Sequence, residues 1–255
     1  MNRISIDGIP LWTPAYVSPV AWYDASDAST INNITGGVSQ WGDKSSNANH
    51  LNQDTPSLQP RIDTRTLNGL NVIDFNGTEH YMSFTSNFEI NNKFVIFVFY
   101  PDSDVANQRI FGNDPSPSVR VNYAGVSDVF VFAGTTAISI YGGTYATSEI
   151  YPKLSPYIAG WGYETTGFRE EKNGLSLLYP ITMLYSGTVP AVTFGRDTDS
   201  ATSYFGGYFA EIIVINDYTT GGGTKLEGYL AWKWGLVGSL PVTHPYKLRP
   251  PKVGD

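Results

Sequence analysis

Short apolar and aromatic runs, broken every few residues by Gly, Pro, Asn or Asp, constrain this chain most. Leu70 to Phe75 shows the period of two expected of a strand, with Asn71, Ile73 and Phe75 alternating against Leu70, Val72 and Asp74. Similar runs are Val20 to Tyr23, Val38 to Trp41, Tyr81 to Phe84, Phe94 to Tyr100, Arg109 to Phe111, Val119 to Tyr123, Val126 to Phe132 and Ala137 to Tyr141. Tyr157 to Tyr163, Phe168 to Lys172, Leu175 to Tyr179, Val192 to Phe194 and Phe209 to Ile215 follow. So many short strands predict an all-β sandwich or barrel. Asn173-Gly174 predicts a tight hairpin, because both central residues of a type I′ turn need positive φ.

One helix is expected near the end. Thr224 and Glu227 fit a capping box, Leu226, Tyr229, Leu230 and Trp234 give an apolar side, and Gly235 is placed to stop it. Residues 1–19, with Pro10, Pro14 and Pro19 around Trp12 and Tyr16, read as an extended arm. Residues 20–246 form the domain and 247–255 a tail, with no internal repeat between them. The arm is expected to wrap its own domain; the sharper alternative is a tether onto a partner.

Composition narrows the function classes. The formal charge is −7 with no basic run, so a nucleic-acid partner is not expected. The longest apolar run, Phe94 to Tyr100, is far too short to cross a bilayer and reads as a buried strand. Cysteine is absent, which removes disulfides and thiol nucleophiles, and Met1 to Ser5 opens no hydrophobic signal region. Synthesis in a cytoplasm and release by another route, such as assembly into a virus particle, is the expectation.

Several stretches together carry a resemblance. They are Ala21-Trp22-Tyr23-Asp24-Ala25-Ser26-Asp27, the run from Val38 through Trp41-Gly42-Asp43-Lys44 to His50, and Val72 to Thr78. Ala210 to Asn216, Glu227-Gly228-Tyr229-Leu230-Ala231-Trp232-Lys233-Trp234-Gly235-Leu236 and His244-Pro245-Tyr246 complete the set. Together they resemble the laminin G-like branch of the concanavalin A-like lectin/glucanase superfamily, found in bacteriophage tail and capsid proteins and bacterial surface proteins. The resemblance spans about residues 20–246. It implies a two-sheet antiparallel jelly roll with one short C-terminal helix. The fold hosts lectins, adhesion modules, glycanases and structural domains, so it fixes architecture more firmly than activity.

Within those motifs, Trp22, Trp41, Trp232 and Trp234 read as core. Asp43, Asn47, Asn49 and His50 read as side chains that tie down a long turn. Glycoside hydrolysis needs two facing carboxyl groups, and the superfamily's glycanases supply them as Glu-x-Asp-x-Glu on one strand, a pattern absent here. Glu170 and Glu171 are adjacent on a strand, so they point to opposite faces and read as a solvated patch. None of His50, His80 and His244 lies near a serine-nucleophile motif. The expectation is a domain that binds and does not catalyse, with no required cofactor.

Hard oxygen donors at Asp114, Asp197 and Asp199 make calcium the one ion to expect, in rim loops where laminin G-like relatives carry a site. Tyr123, Tyr141, Tyr145, Tyr151 and Tyr204 are the aromatic candidates for stacking on a sugar. The leading expectation is a lectin-like adhesion module on a phage particle, binding host glycans. It would touch other virion proteins through its arms and form a homo-oligomer. A purely structural decoration or tail subunit is the alternative, and a glycanase the third.

Overall fold

The computed structural model describes residues 8–89, 93–102, 108–112, 119–123, 126–131, 154–164, 167–179, 190–196, 203–219 and 222–255. Two antiparallel sheets contain nearly all its strands. One has seven strands: Ala21–Asp24, Gly206–Ile215, Phe94–Pro101, Tyr157–Glu164, Gly167–Lys172 and Leu175–Tyr179 in that order, with Ile73–Asn76 also on Gly206–Ile215. The other has eight, in the order Val126–Val131, Val119–Tyr123, Gln108–Gly112, Pro190–Phe194, Met82–Glu89, Leu51–Asn52, Gly37–Trp41 and Ile31–Ile34. The strands expected from alternation are present wherever the structure describes them; Ala137 to Tyr141 lies outside the described residues.

Phe94–Pro101 explains why its sequence reads as one unbroken apolar run. Val95, Phe97 and Phe99 point between the sheets, while Phe94, Ile96 and Val98 point to the opposite face, against the helix Gly223–Trp234. A strand covered on both faces has no solvated positions to mark with polar residues. Between the sheets the core is aromatic: Phe209 packs on Phe75, Phe97, Phe99, Phe194 and Phe205 with ring centroids 4.6 to 6.1 Å apart. Leu226, Leu230, Ala231 and Trp234 of the helix fill the second core.

The turn Asn173-Gly174 has φ of 52° and 81°, as its sequence predicts, and joins Gly167–Lys172 to Leu175–Tyr179. The helix ends at Gly235 (φ 73°) but does not begin with a capping box. Its N-cap is Gly222, with no side-chain cap bond. Glu227 instead turns inward and accepts a hydrogen bond from the Tyr218 hydroxyl at 3.1 Å. Burial among partners on other elements outcompetes the local bond.

The terminal segments pair with each other. The Trp12 amide donates to the Pro251 carbonyl at 3.0 Å, and the Val253 amide to the Pro10 carbonyl at 3.0 Å. Trp12 and Tyr246 are buried against their own domain, whereas Tyr16 is exposed.

Candidate functional site

The site is assembled on the helix side of the seven-stranded sheet, where the first strand, the last long strand, the helix and both terminal segments meet. Its centre is Glu211. A register shift between Phe209 and Glu211 on Gly206–Ile215 places a bulge there. Residues 208 and 210 face the helix before the bulge, and 211, 213 and 215 face it after. The extra residue is what aims a carboxylate into the layer between sheet and helix.

Glu211 is 0% exposed and fully engaged. The Trp22 indole donates to Oε1 and the Trp234 indole to Oε2, each at 2.7 Å. The Tyr229 hydroxyl donates to Oε1 at 3.0 Å and Lys233 Nζ to Oε2 at 2.7 Å. Burial pushes this carboxyl up from its ordinary value, against the pull of Lys233.

From Glu211 the charges alternate outward. Lys233 Nζ also lies 2.6 Å from Asp24 Oδ1, Lys44 Nζ lies 2.8 Å from Asp24 Oδ2, and Lys44 reaches Asp27 at 2.7 Å. Burial works to raise Asp24, but the two ammonium groups prevail and hold it below the usual carboxylate range. Asp27 is drawn down to about 2 by hydrogen bonds from Lys44 and Ser29. The Lys44 ammonium also sits 4.3 Å from the centre of the Trp22 ring.

Two clefts open on either side of Trp22 and Lys44. One of about 440 Å³ is walled by Trp12, Tyr229, Trp232, Asp24, Lys233 and the tail prolines Pro250 and Pro251. The other, about 730 Å³, is polar, with Ser45, Ser46, Asn47, Asn49, Lys93 and Asn216 on its walls. Trp22 and Lys44 line both, so the two clefts adjoin, and the first, with its aromatic walls, is the groove considered below.

The turn residues behave as their sequence suggests. Asp43 accepts the amides of Trp22 and Ser45 at 2.8 Å and of Asn49 at 3.0 Å. His50 Nδ1 accepts the Asp43 amide at 3.0 Å, and Asn47 and Asn49 each donate to the Val20 carbonyl at 3.0 Å. Trp22, Trp41 and Trp234 are buried, but Trp232 is not core: it is 38% exposed on the groove, its indole fixed at 2.8 Å to the Tyr246 carbonyl. The apolar stripe of the helix did not mark Trp232, which stands one position past Ala231; only the tail decides which neighbour it meets.

Tyr141, Tyr145, Tyr151, Asp114, Asp197 and Asp199 lie outside the described residues. Tyr123 ends the strand Val119–Tyr123, and Tyr204 is half-buried, on neither cleft.

Glu170 and Glu171 do point to opposite faces, but neither is a solvated patch: both are buried. Glu171 instead meets Glu227 of the helix, and burial with the neighbouring Glu227 charge pushes it up to about 9. His244 Nε2 lies 3.0 Å from Glu227 Oε2, and Arg169 lies 3.4 Å from Glu171. A carboxyl pair therefore exists in this molecule, built from elements far apart in sequence.

These features define an all-β, two-sheet antiparallel domain with a helix on one sheet and an aromatic, charge-lined groove beside it. No family model matches the chain. No curated protein matches it either. Among solved structures it is similar to the sialidase of Trypanosoma rangeli in complex with sialic acid, at 11% identity and a TM-score of 0.51 over 87% of this chain and 34% of that one. It is also similar to domain 4 of AbnA, an extracellular GH43 arabinanase of Geobacillus stearothermophilus, in complex with arabinotriose (14% identity, TM-score 0.49, 77% of this chain and 91% of that one). A third is the enzymatically active domain of tailspike protein 2 of bacteriophage CBA120 (13%, 0.46, 76% and 30%). The chain thus spans about a third of the sialidase and of the tailspike, and nearly all of the arabinanase domain.

The expectation that this domain does not catalyse is corrected. A sialidase contains a fold similar to this one. The missing Glu-x-Asp-x-Glu strand does not exclude chemistry in a fold that brings carboxyls together from separate elements, as Glu171 and Glu227 demonstrate.

Proposed function

We propose that this chain is a glycan-binding domain of a glycan-acting protein, with the groove around Trp22 and Trp232 as its sugar site. The groove's composition carries the proposal. An exposed indole and the Tyr229 ring supply faces for the apolar side of a pyranose, while Asp24, Lys44 and Lys233 supply fixed hydrogen-bonding partners for its hydroxyls. The similar fold of a sialidase solved with sialic acid supports a saccharide partner.

The finer assignments belong to the same proposal. The ordered motifs from Trp22 to Tyr246 support a concanavalin A-like, laminin G-like jelly roll, and a phage particle is the setting we favour. Calcium held by Asp114, Asp197 and Asp199 is the ion we assign to the rim. The burial of Trp12 and Tyr246 within the domain leaves the arms less aromatic surface for neighbouring proteins, which favours the glycan over a purely structural role.

The test is binding of the purified chain to a glycan array and to bacterial cell wall, with released reducing ends measured in parallel. Binding that falls at least about tenfold in Trp232→Ala, with the fold kept, is expected, since stacked aromatics dominate such sites. Binding unchanged by Trp232→Ala moves the site off the groove. Reducing ends released over time would add hydrolysis to binding.

A further inference from the structure

We propose that Asp24 and Lys233 join in an intramolecular isopeptide bond, with Glu211 carrying the proton that the reaction must move. The cross-link would tie Ala21–Asp24, the first strand of the seven-stranded sheet, to the helix near the other end of the chain.

Three groups stand in the order such a condensation needs. The nucleophile, Lys233 Nζ, lies 2.6 Å from Oδ1 of the acceptor Asp24 and 2.7 Å from Oε2 of Glu211. Glu211 is wholly buried between the Trp22 and Trp234 indoles and the Tyr229 hydroxyl. Lys44 lies 2.8 Å from the second oxygen of Asp24, Oδ2. A simple ion pair requires only one carboxylate and one ammonium. Here one ammonium is shared by two carboxylates, and the second oxygen of Asp24 is capped by a second cation.

The step balances without an outside reagent. Glu211 takes a proton from the Lys233 ammonium and frees the nitrogen lone pair. Nζ attacks Cγ of Asp24, and negative charge gathers on Oδ2, where Lys44 stabilises it. Oδ1 leaves as water, taking one proton from the nitrogen and one from Glu211. Carboxylate plus ammonium become amide plus water, and Glu211 returns to its starting state. Burial favours the neutral amide over two separated charges. Holding the groups in contact supplies an effective concentration far above any in solution. The cleft that Asp24, Lys44 and Lys233 line offers the water an exit.

Among the lysines in this network, Lys233 is singled out because Glu211 touches it and not Lys44. The bond would fix one wall of the groove whether or not the groove binds a sugar.

The experiment is the intact mass of the purified full-length chain, denatured before measurement, followed by peptide mapping. The expected mass is one water below that of the sequence, with a branched peptide linking the segment of Asp24 to that of Lys233. A chain at full sequence mass overturns the proposal and leaves a buried ion network. Lys233→Arg keeps the charge but cannot form the bond, so it should regain the full mass; Glu211→Gln should do the same by removing the proton carrier. Water loss that persists in Lys233→Arg would mark a cyclised aspartate elsewhere and also overturns the proposal. Should Glu211→Gln fail to fold, the unmutated chain's mass and branched peptide decide the question alone.

Discussion

Replacing Glu171 by Gln should flatten the alkaline side of this protein's stability profile. Glu171 and Glu227 share a buried space in which burial and mutual charge favour the protonated form, with Glu171 pushed up to about 9 from an ordinary 4.5. The unfolded chain has released that proton above about pH 4.5, whereas the native state still holds it. Native-state stabilisation from this group is therefore complete below the unfolded pKa and is lost as pH rises toward the folded one. The loss is about 1.4 kcal/mol per pH unit. Arg169 faces Glu171, Tyr218 faces Glu227, and His244 and Lys247 close the cluster from the tail. His244 acts on the other side: burial depresses it, so stability falls as pH drops below its unfolded value of about 6.5. The window in which His244 no longer opposes Glu171 is thus about pH 6.5 to about pH 9, and Glu227 and Glu211, also raised by burial, add the same slope to both proteins. Across two of those units the unmutated chain should lose roughly 2 to 3 kcal/mol more than the variant, an extra fall in Tm of roughly 5–10 °C. Thermal melts of both proteins at successive pH values measure it. Gln keeps the shape of Glu171 and can donate to Glu227, so its profile should be shallower there, with the slope that Glu227 and Glu211 leave. An equal slope in both proteins would refute the assignment of the titration to this pair.

Gly228→Ala should destabilise the domain by roughly 1–3 kcal/mol, because a methyl there would lie 2.6 Å from Cβ of Tyr246. Urea midpoints of the two proteins check this, and an unchanged midpoint would mean the tail does not pack on the helix. If calcium occupies the rim, adding it should raise the Tm, a chelator should reverse the rise, and Asp197→Ala should abolish it; differential scanning fluorimetry reads all three.

The pattern of residues determined much of this protein directly. Period-two alternation located the strands, Asn173-Gly174 the hairpin and Gly235 the helix end, because each rests on local sterics and on which side of a strand meets water. Asp43 and its neighbours were legible as a tied turn for the same reason: their bonds reach backbone close by, apart from those to Val20 and Trp22. Tertiary structure decided what needed elements to meet. Thr224-x-x-Glu227 has the spacing of a cap, yet Glu227 faces Tyr218, His244 and Glu171, none of them its sequence neighbour. Trp232 reads as core until the tail leaves its ring on the groove. A strand bulge at Glu211 sends its carboxylate toward the helix, where Asp24 from one end of the chain and Lys233 from the other meet it. Alternation alone gives the face of a residue on its own strand, whereas the partners of Glu211 depend on how the first strand, the last long strand and the helix pack.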